Sequence, residues 1–133
     1  MRSFPSFLLA LGMAALVSGC ALITQGELDQ EVRLAPGQTV QFAGTDLSLT
    51  FEEVVDDSRC PSTAVCVWIG NGVVKIESRR GETRLVHTLG TPSGPLEAVS
   101  GAYRIRILGL DPYPDGGPIP EEDYRLRLLV TID

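Results

Sequence analysis

Histidine occurs once, at His87, and tryptophan once, at Trp68. A Ser-His-Asp system would have to recruit that single imidazole, and no G-x-S-x-G elbow is present to supply its nucleophile. Both methionines, Met1 and Met13, fall near the front, so the rest of the chain offers no thioether to a soft metal. Only three cysteines occur, Cys20, Cys60 and Cys66. A zinc site needs four ligands, which two bridged thiols and one histidine cannot provide. No window carries a helical period with caps. Internal repeats and low-complexity tracts are also missing, which excludes solenoids and disordered tails. Outside Phe7–Val17, Arg, Asp or Glu interrupts every apolar run, and that run falls short of the roughly 20 residues a membrane span needs.

What is present begins with the front of the chain. Met1–Gly19 has one charge, Arg2, then the apolar stretch, then the small residues Ser18-Gly19, the three parts of an export signal. Leu16-Val17-Ser18-Gly19-Cys20 resembles the lipobox of bacterial lipoproteins. That resemblance implies cleavage before Cys20, a thioether-linked diacylglycerol on Cys20, and retention at a membrane through acyl chains. Each buried methylene contributes roughly 0.8 kcal/mol, so two or more chains hold durably where one does not. Ala21 follows the cysteine in place of the Asp that resembles an inner-membrane retention signal. The expected place is the outside of the cytoplasmic membrane or, where the cell has one, the outer membrane.

Without Arg2 the chain carries 10 Lys+Arg against 17 Asp+Glu, a net charge of −7, which disfavours nucleic acid as a partner. In an oxidising compartment Cys60 and Cys66 read as one disulfide. So short a loop adds about 2 kcal/mol in the chain-entropy model and chiefly fixes the loop itself.

From residue 31 onward, strict alternation recurs. Val32 and Leu34 alternate with charge, as do Val40 and Phe42 with polar residues after the Pro36-Gly37 turn. Leu47, Leu49 and Phe51 share a face, and Leu85, His87 and Leu89 share another. Tyr103, Ile105 and Ile107 repeat the pattern, and Tyr124, Leu126, Leu128, Val130 and Ile132 form the longest stripe. The expected fold is all-β: a small antiparallel β-sandwich or partly closed barrel of seven to eight strands. The expected division is a signal peptide over 1–19, a lipidated tether over 20–30 and a single β domain over 31–133.

The segment Asp57-Ser58-Arg59-Cys60-Pro61, followed by Cys66-Val67-Trp68 and Gly70, is the most distinctive after the signal. With Gly37-Gln38-Thr39, Pro112-Tyr113-Pro114 and Asp123-Tyr124, it resembles a motif of small secreted or lipid-anchored bacterial proteins whose activity is not established. The resemblance runs from about Gln38 to the end and implies a fold with almost no chemistry. Cys66 and Trp68 are two apart, so a strand continuing through Gly70 and Gly72 to Val74 and Ile76 would lay the indole beside the disulfide and over the core. The alternative is a hairpin turn at Gly70-Asn71-Gly72. Asp57 and Arg59 are placed to brace the loop. The functional alternative is a presented Pro61–Val65 loop, held at both ends, that engages a partner or inhibits an envelope protease.

His87 reads as a satisfied core imidazole. Carboxylates at Asp56, Asp57, Asp111, Asp115, Glu121, Glu122 and Asp123 leave a hydrolase open, although nothing marks two of them as a pair. Asp111–Asp123 holds five acids and four prolines, which reads as a stiffened solvated loop, with calcium the sharper alternative. Arg104, Arg106, Arg125 and Arg127 are expected to share an outward face, answered by Glu31, Glu52, Glu77 or an external anion. Together with Tyr113 they form the expected interaction surface, facing lipid headgroups, a carboxylate-bearing wall polymer or an envelope protein. The sum is a lipid-anchored envelope protein without enzyme activity, metal or cofactor, acting by binding or scaffolding.

Overall fold

A computed structural model describes residues 23–133. The expected signal peptide and the lipidation at Cys20 lie outside the described residues. Nine strands form two facing sheets, so the chain is a β-sandwich and does not close into a barrel. The first sheet contains β1 (Ile23–Gly26), β3 (Thr39–Phe42), β4 (Leu47–Asp57), β5 (Gly72–Arg80) and β6 (Thr83–Thr91), in that order. The second runs β2 (Val32–Leu34), β9 (Arg125–Ile132), β8 (Tyr103–Asp111) and β7 (Glu97–Ser100).

Alternation sorts the side chains as it should. From the first sheet Val40, Phe42, Leu47, Leu49, Phe51, Val74, Ile76 and Leu89 are buried. From the second sheet Val32, Leu34, Ile105, Ile107, Leu110, Leu126, Leu128 and Val130, with Tyr124 just before β9, meet them in one core. The polar members of each strand face water, so burial of one face drives each sheet onto the other. Ile132, expected in the core stripe, is exposed because it ends β9 opposite Tyr103, at the rim of the layer.

Nine strands among the described residues exceed the expected seven to eight, and the two that alternation did not mark are β1 and β7. The expected tether over 20–30 contains β1, which pairs in parallel with β3, Ile23 opposite Thr39 and Gly26 opposite Phe42. Every other pairing is antiparallel. A parallel neighbour needs a crossover, here supplied by residues 27–38 passing through β2 in the opposite sheet.

Neither expectation for Cys66–Gly72 holds. β5 begins at Gly72, directly opposite Asp57, the last residue of β4. Residues 58–71 are therefore one closed excursion between two long paired strands. Its neck is fastened by the Ser58 amide donating to the Asn71 carbonyl at 2.8 Å and the Asn71 amide donating to Ser58 Oγ at 3.1 Å. Gly70 completes the neck with φ +69°, and a Cβ there would collide with the Ser58 carbonyl.

Candidate functional site

The neck of the excursion is built around a buried guanidinium. Arg59 follows the end of β4 by two residues, and its side chain turns inward beneath the loop with 3% of its surface exposed. Nε and Nη2 donate to Asp57 Oδ1 and Oδ2, both at 2.8 Å, in a bidentate pair. Nη1 donates to the Leu110 carbonyl at 2.6 Å and Nη2 to the Pro112 carbonyl at 3.0 Å. Tyr124 Oη donates to Asp57 Oδ2 at 2.8 Å, and the Tyr113 ring lies 5.3 Å from the guanidinium carbon. Tyr113 Oη in turn donates to the Cys60 carbonyl at 2.7 Å. Residues far apart in sequence, Asp57, Arg59, Tyr113 and Tyr124, thus lock the β4–β5 loop onto the β8–β9 loop. The bracing role expected of Asp57 and Arg59 is what the geometry shows, and it extends beyond the loop to the Leu110 and Pro112 carbonyls at the end of β8.

Burial alone would raise the Asp57 carboxyl, but hydrogen bonds from Arg59 and Tyr124 and the charge of Arg59 outweigh it and hold the group below its ordinary value. The Tyr124 hydroxyl is pushed up to about 12 by burial first and the Asp57 carboxylate second. A carboxylate depressed in the folded state stabilises the fold above its unfolded value of 3.8, and that contribution is lost as pH falls through the lower folded value. Urea unfolding at pH 7 and at pH 3 should therefore show a smaller acid-induced loss for Asp57→Asn than for the native chain, the variant having spent its loss already at pH 7.

Above this braced base sits the disulfide. Cys60 and Cys66 are bonded, with Cα atoms 5.9 Å apart. Ser62 donates its amide to the Pro114 carbonyl at 2.9 Å, and Thr63 Oγ1 donates to the Asp115 carbonyl at 2.9 Å, so the loop is tied along its flank too. What it displays is apolar. Val65 and Val67 are almost wholly exposed, at 104% and 98%, with Ile69 at 65% and Trp68 at 61%. The expectation of Trp68 over the core is overturned, because residues 66–71 form no strand and no second sheet covers them. A signal was available: Ala64–Ile69 is apolar at every position, where a half-buried strand would alternate.

The expected arginine surface is divided and largely neutralised. At one end of the β8–β9 pair Arg104 lies opposite Thr131 and Arg106 opposite Leu129; at the other end, past a register shift between Ile107 and Gly109, Arg127 lies opposite Gly109 and Arg125 opposite Asp111. Arg104 pairs with Glu97 at 2.9 Å and Asp133 at 2.6 Å, and Arg106 pairs with the same Glu97. Arg127 pairs with Asp111 at 2.9 Å. Arg125 donates to the Glu122 and Tyr124 carbonyls, both at 2.7 Å. Of the acids expected to answer this face, only Glu31 belongs to this neighbourhood, against Arg33 at 3.5 Å. Glu77 serves Arg79 and Arg84 on the other sheet. The surface is cross-strand ion pairing, and Tyr113 belongs to the brace beneath the disulfide loop.

The remaining candidates are used locally. His87 is half-buried, with Nε2 2.8 Å from Ser78 Oγ, which donates onward to Ser100 Oγ at 3.0 Å. Desolvation lowers the His87 pKa. Among the described residues no three His, Cys, Asp or Glu side chains converge as a metal site would require. Asp115 Oδ1 accepts from the Gly117 amide, and Glu121 Oε1 accepts from the Val54 amide. A cleft of about 230 Å³ opens beside the brace, between Pro61, Pro114, Ile119 and Tyr124, and the carboxylate on its wall, Asp57, is held by Arg59.

Comparison with protein-family models, with curated proteins and with solved structures gave no match.

Proposed function

We propose that the protein is a lipid-anchored, non-enzymatic component of the cell envelope that acts by binding or scaffolding, with the Cys60–Ile69 loop as its binding surface. One observation carries this reading: four large apolar side chains in five consecutive residues stand in solvent on a loop fixed by a disulfide and a buried ion pair. Exposed apolar clusters mark interaction sites, and a loop ordered in advance loses little entropy on binding. The apolar run continues past Cys66 to Ile69, so the surface is not centred on Pro61–Val65 as a bridge-framed inhibitor loop would be. The anchor is supported by the lipobox-like Leu16–Cys20 sequence. Cys20→Ser should abolish fatty-acid labelling and shift the protein from the membrane to the soluble fraction. Labelling that persists in the variant would refute the anchor.

A further inference from the structure

We infer that the Cys60–Ile69 loop docks onto the lipid surface that holds the anchor, seating Trp68 and its apolar neighbours at the membrane–water interface. This rests on acylation of Cys20.

The chain's direction carries the inference. Ile23, the first described residue, lies opposite Thr39, which lies opposite Thr50, which lies opposite Glu77. β1 is parallel to β3 and therefore runs against β4. The chain preceding Ile23 consequently enters from the pole toward which β4 runs, and β4 ends in the disulfide loop. Along β5, Glu77 and Gly72 are five residues apart, about 17 Å at strand rise. Cys20 precedes Ile23 by three positions, with Ala21 and Leu22 between, a reach of up to about 10 Å. Cys20 thus stops at least about 7 Å short of the level of Gly72 but on the loop side of Ile23, so its acyl chains turn the disulfide-loop pole toward the bilayer and the opposite pole, with Gly44, Gly81 and Gly101 in its turns, away from it.

The chemistry of the loop suits that position. Tryptophan and branched aliphatic side chains partition into the interfacial zone, where an indole keeps its N–H wet and its ring dry. The flanking β8–β9 loop carries Asp115, Glu121, Glu122 and Asp123, so the contact is apolar in origin and favours zwitterionic over anionic headgroups. A protein partner would fit the apolar tip as well, but the point of chain entry favours lipid.

Trp68 is the single tryptophan, so its fluorescence reports the loop directly. The full acylated chain is reconstituted in phosphatidylcholine vesicles, with or without lipid brominated near the headgroup end of the acyl chains. Brominated lipid should lower Trp68 emission at least twofold. Val67→Asp changes a side chain that is almost wholly exposed, so the fold should survive, and it should remove most of that quenching. Equal emission in both vesicles, with Trp68 open to aqueous iodide, would overturn lipid docking and leave the loop to a protein partner. Quenching unchanged by Val67→Asp would also overturn it. Fatty-acid labelling of the same preparation separates the two levels: unlabelled protein means the anchor is wrong, whereas labelled but unquenched protein means only the docking is wrong.

Discussion

Replacing Arg59 by Met should destabilise the domain by about 3–5 kcal/mol, the cost of breaking a buried ion pair from one side. The substitution leaves the Asp57 carboxylate, 11% exposed, without its counter-charge, and leaves the Leu110 and Pro112 carbonyls without a donor. Tyr124 Oη would remain the carboxylate's only side-chain donor among those it has now. Arg59→Lys should recover only part of the loss, since an ammonium is a point charge that cannot make a bidentate pair and reach two carbonyls in one plane. Urea denaturation followed by circular dichroism measures this. A loss below about 1 kcal/mol, the range of exposed ion pairs in general, would mean that burial adds nothing to the brace.

Phe51→Ala should cost about 3–5 kcal/mol through the cavity it leaves. Phe51 is fully buried, lies opposite Ile76 in the middle of the first sheet, and shares its backbone with the β2–β3 turn through Gly37 and Gln38. Domains of this size hold about 5–15 kcal/mol in total, so the variant should lose about a fifth of its stability or more. Circular dichroism during heating is the suitable measurement, because Trp68 stands outside the core and its emission does not report core packing. A melting temperature within a degree or two of the native one would contradict the assignment of Phe51 to the centre of the core.

Seven strands were legible from alternation, and six bury the face it marks; in β6 only Leu89 of that face is buried, Leu85 standing exposed at the sheet edge. β1 and β7 escaped detection because neither buries an alternating apolar face: their only buried positions are Gly26 and Ser100. The disulfide was legible from cysteine arithmetic. Trp68 was misplaced because two-residue spacing was extended through a segment that is apolar at every position. The Arg59 brace was half legible: the proximity of Asp57 and Arg59 is local, but their link to Leu110, Pro112, Tyr113 and Tyr124 depends on how the two sheets stack. The four arginines face outward as their alternation implied and three of them are answered by ion pairs, but the acids that answer them, Glu97, Asp111 and Asp133, depend on strand order and register, which composition does not specify.

The parallel pairing of β1 also sets how the molecule bears a pull. With the chain held upstream of Ile23 and the body tugged away, the force runs along the strand and at right angles to its bonds with β3. Those bonds are then loaded together in shear and cannot be opened one after another like a zip. Four residues of edge strand thereby pass any such pull on the preceding chain into the sheet as a whole.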